Sequence, residues 1–515
     1  MTSHIDRRAF MRLGLSLGGL ATATSFGFQL AAAGSAAGQS ATDYKALVCI
    51  FLYGGNDANN MVLPVDTDSW GRYFSARNQG TDPIALMPPG TPPTAVGQVN
   101  PVTGRTAAMG KPEHWGGVLP ITPRTPQPIP QNTNANQRGF GLHPLMGGAK
   151  TLFDEGRLAV LANVGTLIQP TTKAQYNAKS VPLPVSLFSH NDQQSTWQAG
   201  ATEGARTGWG GRMGDLLMSM NGQNTIFTAI TASGTAVFLS GQSVVQYPLS
   251  TNAAPAVTVS GTLNSSLYGT SKAPAALKDI VTDTFSASDL ANDYGAIVKR
   301  SVGASSVVNE VFSRSVVTAV PSPPAYTNPS TGQSETNSLA LQLRTVARMI
   351  AAAPAFGLKR QVFMVSLGGF DSHDFQNRDQ ANNLAKVSQA LSYFDSTLAN
   401  IGGEDMRSNV TAFTASDFSR TYSTNGDGTD HAWGGPQLIM GGAVKGGDMY
   451  GLYPTVGMDI NGFSNPYMTG AAFIPTTSVD QYAATLGSWF GVSSSDLGTI
   501  FPNLRNFNTA NLGFV

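Results

Sequence analysis

The chain has 515 residues, of which 31 are Lys or Arg and 31 are Asp or Glu, so its formal net charge at pH 7 is zero. Proteins that bind nucleic acid or anionic membranes through charge carry a basic excess, and the composition therefore argues against both partners. The single cysteine, Cys49, excludes an intramolecular disulfide, whereas a hydrophobic content of 41% is ample for a core.

The first 40 residues have the pattern of a twin-arginine signal peptide. The pair Arg7-Arg8 precedes an apolar, glycine-rich stretch at 13–30, and small residues follow. This order of basic, apolar and cleavage regions is typical of exported proteins. We therefore expect the twin-arginine translocation machinery as a partner and a periplasmic or secreted location. An N-terminal anchor is the alternative, but the stretch is rich in Gly, Ser and Thr, so we expect no stable membrane span after cleavage.

Four apolar runs, at 46–52, 157–164, 361–367 and 409–414, predict strands that are buried on both faces. Cys49 lies in the first run, where we interpret it as a small apolar residue of a buried strand. Helices are predicted near 145–155, 213–220, 339–352 and 384–398, and a polar loop at 186–197. The order of strand, polar loop and helix predicts an α/β fold.

More closely, we predict a three-layer α/β/α sandwich with a mostly parallel central sheet and long loop insertions. One domain would span 41–515. The composition shifts to Ser, Thr, Ala and Val at about 222–335, which indicates an insertion or cap in that domain.

Acidic and histidine residues follow several of these strands. Because parallel strands present their carboxyl ends at one edge of a sheet, these side chains can converge there. Clustered carboxylates repel one another unless a cation lies among them. Mixed Asp and His ligands suit zinc, while carboxylate-rich sites also accept magnesium, manganese or calcium. The predicted ligands of this divalent metal are Asp57, Asp371, His373, Asp417, Asp430 and His431.

A structural interpretation of these acids stands beside the metal site. An Asp after a strand can cap the next helix, as Asp371 would for a helix that begins near 374. Asp417 can instead pair with Arg420. The sequence from Asn425 to Asp430 hints at calcium, but the loop pattern with its closing Glu is missing.

The predicted loop at 186–197 offers catalytic groups. Ser189 is a potential nucleophile that a metal or His190 would activate. Arg212 and Arg420 are predicted to bind the oxygens of an anion. The alternative is a polar loop that packs on Trp197 without any catalytic role.

Several motifs in order resemble the exported bacterial domain-of-unknown-function family 1501, and the resemblance covers 44–515. The motifs are LVCIFLYGGNDANNMVLP, FSHNDQQSTWQ, GWGGRMGDLL, VSLGGFDSHDFQ, TASDFSRT and GTDHAWGGPQLIMGGAVKGG. The resemblance implies the fold of the alkaline phosphatase and sulfatase superfamily, with metal ligands at strand ends. Asp57 would match its first-strand acid, Asp371 and His373 its later Asp/His pair, Asp417 the acid after the next strand, and His431 its last histidine.

The chain departs from this pattern at three places. Ala58 follows the first acid where the family more often has Gly, and Asp417 and Ser419 stand where it usually has Glu and Gly. The Cys or Ser nucleophile followed by Pro and Arg, which sulfatases carry, is not evident.

The leading hypothesis is a metal-dependent hydrolase that acts on a small-molecule anionic substrate, an ester of phosphate or sulfate. The alternative is an exported, non-catalytic binding or accessory protein that retains the fold. An oxidoreductase with an organic cofactor is a third interpretation, which the lack of a Gly-x-Gly-x-x-Gly motif after the first strand disfavours.

Overall fold

The computed structural model describes residues 43–129, 138–251, 266–267, 269–283, 288–460 and 462–515. The predicted signal peptide at 1–40 lies outside these residues. Within the described ranges, no helix is long and apolar enough to cross a membrane.

The strands of the described residues form one large sheet and three small ones. In chain order they are β1 (Lys45–Leu52), β2 (Val62–Pro64), β3 (Leu119–Ile121), β4 (Phe140–Leu142), β5 (Leu158–Gly165), β6 (Ala229–Thr231), β7 (Tyr247–Pro248), β8 (Tyr326–Thr327), β9 (Ser334–Glu335), β10 (Arg360–Leu367), β11 (Val410–Ser416), β12 (Gly435–Met440), β13 (Met449–Tyr450), β14 (Met468–Thr469), β15 (Ala472–Phe473) and β16 (Thr477–Ser478).

The helices lie between these strands and at the C-terminal end. In chain order they are α1 (Ala58–Met61), α2 (Thr67–Arg77), α3 (Pro112–Trp115), α4 (Gly147–Asp154), α5 (Lys173–Ala178), α6 (His190–Ala199), α7 (Trp209–Leu217), α8 (Ala273–Val281), α9 (Asp289–Phe312), α10 (Ser315–Thr318), α11 (Ser338–Phe356), α12 (Gln376–Leu398), α13 (Val479–Phe490) and α14 (Ser494–Ile500).

The large sheet has the strand order β13-β5-β12-β11-β1-β10-β6-β7, with β16 beside β5. Strand β12 is antiparallel to both neighbours, and the other strand pairs of this sheet are parallel. The predicted mixed α/β protein with a mostly parallel sheet is therefore confirmed. The small sheets are β2-β4-β3, β14-β15 and β8-β9.

Two hydrophobic cores cover the two faces of β1, as expected for a strand that is apolar throughout. Ala46, Val48 and Ile50 pack in one core, to which α4, α11 and α12 contribute. Cys49 and its neighbours on the other face pack in a second core with α7 and α13. Cys49 is 2% exposed, and burial raises the pKa of its thiol, as expected for a structural residue.

The four predicted strands are present as β1, β5, β10 and β11, and the four predicted helices as α4, α7, α11 and α12. The prediction of a loop at 186–197 was wrong, because helix α6 begins at His190. The sequence did contain a signal for this helix: Ser189 followed three residues later by Asp192 is a common helix start. The region predicted as an insertion, about 222–335, supplies β6 and β7 to the edge of the large sheet as well as the long helix α9.

Candidate functional site

One edge of the large sheet gathers the polar loops that the sequence singled out. In the register of the sheet, Leu52 at the end of β1 aligns with Leu367 of β10 and Ser416 of β11, so the three following loops leave at the same level. The antiparallel strand β12 begins at this edge, and it therefore delivers His431 from the residues before its start.

Close backbone contact holds these loops together. Gly54 has a φ of +111°, and a Cβ at this position would lie 2.5 Å from the backbone nitrogen of Asp371. A Cβ on Gly428 would lie 2.2 Å from the carbonyl oxygen of His373. Only glycine lets the chain approach this closely, and at Gly54 it also permits the left-handed backbone.

Two histidines, His190 and His373, each direct their Nε2 atom toward His431 and Asp371. The Nε2 atom of His431 lies 3.1 Å from Nε2 of His190 and 3.0 Å from Nε2 of His373. The carboxylate of Asp371 lies 3.4 Å from His190 Nε2, 3.1 Å from His373 Nε2 and 3.3 Å from His431 Nε2. We call these four residues the His–Asp cluster.

The other ring nitrogen of each histidine is held by an acceptor outside the cluster. His190 Nδ1 lies 2.7 Å from Asp417 Oδ2, and His373 Nδ1 lies 3.2 Å from Asp430 Oδ1. His431 Nδ1 lies 2.7 Å from the carbonyl oxygen of Phe188. Carboxylate and carbonyl oxygens only accept hydrogen bonds, so a proton on each Nδ1 completes these three contacts. An imidazole that carries its single proton on Nδ1 presents the lone pair of Nε2 to the cluster.

The Nε2 atoms and the carboxylate are placed so that they could hold a cation. Without one, lone pairs of neighbouring imidazoles face each other at 3.0–3.1 Å beside a carboxylate. Histidine ligands oriented through Nδ1 by carboxylate or backbone oxygens are the usual arrangement around a bound metal.

The distances between the donor atoms fit a small divalent ion. Zinc binds imidazole nitrogen at 2.0–2.1 Å in tetrahedral geometry, which separates neighbouring ligand atoms by about 3.3–3.4 Å. The contacts within the His–Asp cluster span 3.0–3.4 Å. Among the described residues, His190, Asp371 and His431 form the group whose ligand atoms all lie within 4.8 Å of one another. His373 lies outside this group and approaches His431 and Asp371 from one side. Two imidazoles and one carboxylate favour zinc over magnesium or calcium, which prefer oxygen.

Arg420 holds the carboxylate of the cluster from its buried side. Its Nη1 atom donates to Asp371 Oδ1 at 2.6 Å, and its Nη2 atom donates to the carbonyl oxygen of Thr429. The Arg420 side chain is fully buried. Partial burial opposes ionisation of Asp371, but the hydrogen bond and charge of Arg420 hold the pKa of that carboxyl below its usual value. Asp371 is therefore a carboxylate that can face a cation.

The histidines next to Asp371 differ in their electrostatic surroundings. The hydrogen bond to Asp417 raises the pKa of His190, against the effect of its burial. Burial lowers the pKa of His431, and the nearby Arg420 acts in the same direction, against the hydrogen bond to the Phe188 carbonyl. The neutral form is thus favoured more strongly at His431 than at His190.

Asp417 and Asp430 lie outside the four-residue cluster, as the hydrogen-bond partners of its histidines. Asp417 is fully buried and also accepts hydrogen bonds from Gln194 Nε2 at 2.8 Å and from the Gly54 amide at 3.2 Å. The side chain of Asp430 is 61% exposed. In this arrangement the two acids orient the histidines of the cluster through hydrogen bonds.

The structure does not bring Asp57 into the His–Asp cluster. Its two carboxylate oxygens receive Nη1 and Nη2 of Arg77, and both side chains are fully buried. Gln376 Nε2 also donates to Asp57, and Gln376 accepts from the hydroxyl of Thr429 at 2.6 Å. Asp57 therefore belongs to a separate, buried hydrogen-bond network with Arg77, Gln376 and Thr429.

Arg212 and Ser189 are also placed outside the cluster. Arg212 donates to the carbonyl oxygens of Thr207 and Ala199, so it ties helix α7 to the end of α6 and to the segment after it. Ser189 is half-buried next to His190, at the N-cap of α6, and its hydroxyl does not bond to the helix backbone. The structure gives neither residue a contact with the His–Asp cluster.

Sequence reasoning missed three parts of this site. The Phe188 carbonyl is a backbone group in a left-handed conformation, with φ at 76°, and nothing in the side-chain pattern marks it. The pairing of Arg77 with Asp57 joins two segments that composition alone does not connect. Gln194 was visible in the sequence one helical turn after His190, and recognising helix α6 would have placed both on one face.

Comparison with known proteins supports one family assignment. A family model described as "Protein of unknown function (DUF1501)" matches residues 44–500. No curated protein matches the chain. Among solved structures, the lipoteichoic acid synthase LtaP from Listeria monocytogenes is similar at 7% identity and a TM-score of 0.31, over 91% of this chain and 77% of that one. A structure of Ps i-CgsB in complex with k-i-k-neocarrahexaose gives 9% identity and a TM-score of 0.27, over 68% and 70% of the two chains.

Proposed function

The chain belongs to the DUF1501 family, and we propose that it is a metal-dependent hydrolase of phosphate or sulfate esters. The observation that carries the proposal is the convergence of the Nε2 atoms of His190 and His431 on the carboxylate of Asp371, with outer partners that bind each Nδ1 and hold Asp371. A cluster built only for folding would not need imidazoles fixed in the tautomer that binds metals.

His190, His431 and Asp371 would hold the ion, with His373 beside them. When bound, a divalent ion supplies the charge that polarises an ester oxygen and lowers the pKa of a water molecule. Asp417, the Phe188 carbonyl and Asp430 keep the three imidazoles in register, and Arg420 keeps Asp371 ionised and oriented.

The open side of the cluster is the place where a substrate can approach. The side chains of Asp371 and His373 are each 44% exposed, whereas Asp417 and Arg420 are fully buried behind them. In the proposed reaction, a water oxygen forms a bond to phosphorus or sulfur, the bond to the ester oxygen breaks, and the alcohol leaves with a proton. Because Arg420 is buried and bound to Asp371 and Thr429, attraction of the anionic group depends on the metal.

The finer parts of the fold and the location are also proposals. We propose an alkaline phosphatase-like sandwich, supported by helices on both faces of a mostly parallel sheet and by a site at the strand ends. We propose a single domain over 41–515 and export by the twin-arginine pathway, supported by the pair Arg7-Arg8 and the apolar stretch that follows.

Metal analysis combined with ester assays tests the proposed function. Protein that folds in the cytoplasm should carry about one equivalent of zinc by inductively coupled plasma mass spectrometry. His431→Ala should lose the metal, because this residue contacts both other histidines. His114→Ala is the matched control: His114 lies on α3 and binds the Thr94 carbonyl, so its loss should leave the metal in place.

Hydrolysis of aryl phosphate or aryl sulfate should require the metal and disappear in His431→Ala. Protein that remains metal-free after incubation with zinc, manganese and magnesium would refute the proposal. Protein that binds metal but hydrolyses neither ester would support the non-catalytic alternative.

A further inference from the structure

The first half of helix α9 exposes an apolar face. Leu290, Tyr294 and Ile297 are 80%, 66% and 52% exposed. Because they are four and three positions apart, they lie on one side of the helix. On a different side, Val298 and Val302 are buried. Large apolar side chains that adjoin one another on a surface are typical of an interaction site, whereas scattered ones are not.

The spacing of this face is that of a coiled coil. Ser301 and Ala304, both partly exposed, continue the series of Leu290, Tyr294 and Ile297 in alternating intervals of four and three residues. Two helices pack along a seam of this repeat. We call these five residues the α9 seam. Its large side chains come first along the chain and its small ones follow, so a second, antiparallel α9 would place small residues opposite large ones.

The charges beside the α9 seam favour the same antiparallel pairing. Asp293 and Arg300 are exposed and seven residues apart, so they lie on one flank of the seam. When a two-fold axis relates two antiparallel helices, this flank meets the same flank of the other copy. Asp293 then approaches Arg300 of the partner subunit, and the reverse pair forms as well. In a parallel pair the flank would meet the opposite flank, which carries Val298, and neither charge would meet its opposite.

The charge of this half of α9 also distinguishes a second copy from a lipid surface. Helices that lie in a membrane interface carry an excess of Lys and Arg on their polar side. Residues 289–304 carry two acids, Asp289 and Asp293, and two bases, Lys299 and Arg300, whose charges cancel. An anionic membrane would gain no net attraction, whereas a second copy brings the opposite charge to Asp293 and to Arg300.

We propose that the protein forms a homodimer through the α9 seam, with the two helices antiparallel and the two-fold axis between Tyr294 and Ile297. Helix α9 contributes no residue to the His–Asp cluster, so the inference does not depend on the proposed function. Over residues 290–304 the paired helices would overlap along about 22 Å. One helix pair of this length buries less surface than an obligate dimer does, so we expect a reversible monomer–dimer equilibrium.

Sedimentation velocity of the full chain over a range of concentrations tests the dimer. Ile297→Asp places a carboxylate at the centre of the apolar seam and should leave the protein monomeric. Because Ile297 is exposed, its circular dichroism spectrum should stay that of the wild type. Lys299→Asp is the matched control: Lys299 is exposed on the side of α9 that faces away from the seam, so the dissociation constant should not change.

Charge reversal tests the proposed pairing. Asp293→Arg and Arg300→Asp each bring like charges together across the two-fold axis and should raise the dissociation constant by roughly three- to thirtyfold. The double variant restores opposite charges and should recover the wild-type constant.

Three results would overturn the inference: a wild type that is monomeric at its highest soluble concentration, a double variant without recovery, or an equal effect of Lys299→Asp. Monomeric protein that sediments with phosphatidylglycerol vesicles, and no longer does so as Ile297→Asp, would show that this face contacts a membrane instead.

Discussion

Replacement of Asp417 by asparagine tests whether this acid orients a metal ligand or is a ligand itself. Asp417 is fully buried, and its Oδ2 atom lies 2.7 Å from His190 Nδ1 and 2.8 Å from Gln194 Nε2. The substitution preserves the shape of the side chain and one acceptor oxygen, but it removes the negative charge and replaces the second oxygen with a donor.

The expected loss follows from these contacts. Mutation of a partner in the second layer of a metal site lowers metal affinity by about 10- to 100-fold, or roughly 1.4–2.8 kcal/mol. In Asp417→Asn the amide oxygen can still accept from His190 Nδ1, so the loss should lie near tenfold. Asp417→Ala leaves His190 without an acceptor and should lie near 100-fold.

Zinc affinity measured by competition with a chromogenic chelator distinguishes the two roles. Asp192→Asn is the matched control, a change from carboxylate to amide on the same helix but at a residue that contacts the Glu203 amide. Equal affinity in wild type and Asp417→Ala would refute the role of His190 as a ligand. A loss beyond about 10⁴-fold in Asp417→Asn, with folding intact by circular dichroism, would show that Asp417 coordinates the ion directly.

Three further predictions concern charged side chains that differ in their exposure to solvent. Asp430→Asn should weaken zinc binding less than Asp417→Asn, by about threefold or less in the same chelator assay, because Asp430 is 61% exposed and solvent screens its contact with His373; an equal or larger loss would contradict this ranking. Arg77→Met should reduce the free energy of unfolding in urea by about 3–5 kcal/mol, because it leaves the buried Asp57 carboxylate without its cation, and Asp57→Asn added to it should recover part of the loss. Burial raises the pKa of Asp480 to about 6 against the opposing effects of Asn503 and Arg212, so the folded state holds the proton more tightly than the unfolded chain and stability should fall as pH rises from about 4 to 6. Asp480→Asn should abolish this slope and stabilise the protein at pH 7 by up to about 3 kcal/mol, whereas an unchanged pH profile of thermal unfolding would contradict the assigned pKa.

The central sheet and its acidic edge could be predicted because the signals are local. Continuous apolar runs at β1, β5, β10 and β11 identify strands that are buried on both faces. Once parallel strands are assumed, the loops that carry Asp371 and His373 must leave at one edge. His431 was expected at that edge as well, and it reaches it at the start of the antiparallel strand β12, an orientation that the apolar pattern alone does not reveal.

The division of the acids into cluster members and supporting partners could not be predicted. Asp57, Asp371 and Asp417 each follow an apolar strand, and no local feature of the sequence distinguishes one from another. Their partners distinguish them: Arg77 neutralises Asp57, His190 and Gln194 occupy Asp417, and only Asp371 faces the three Nε2 atoms. These partners come from distant segments, so the distinction depends on tertiary contacts that no local pattern encodes.

The supporting contacts also indicate which side of the cluster would exchange a ligand. His190 is held by a fully buried carboxylate, and His431 by a backbone carbonyl, while the side chains of both are less than a third exposed. His373 is 44% exposed, and its partner Asp430 is more exposed still. Since a hydrogen bond to an exposed carboxylate restrains a side chain only weakly, His373 has the freest imidazole of the three. His190, His431 and Asp371 would hold a bound ion, and the exposed side of the cluster, where His373 lies, would be left for a substrate oxygen.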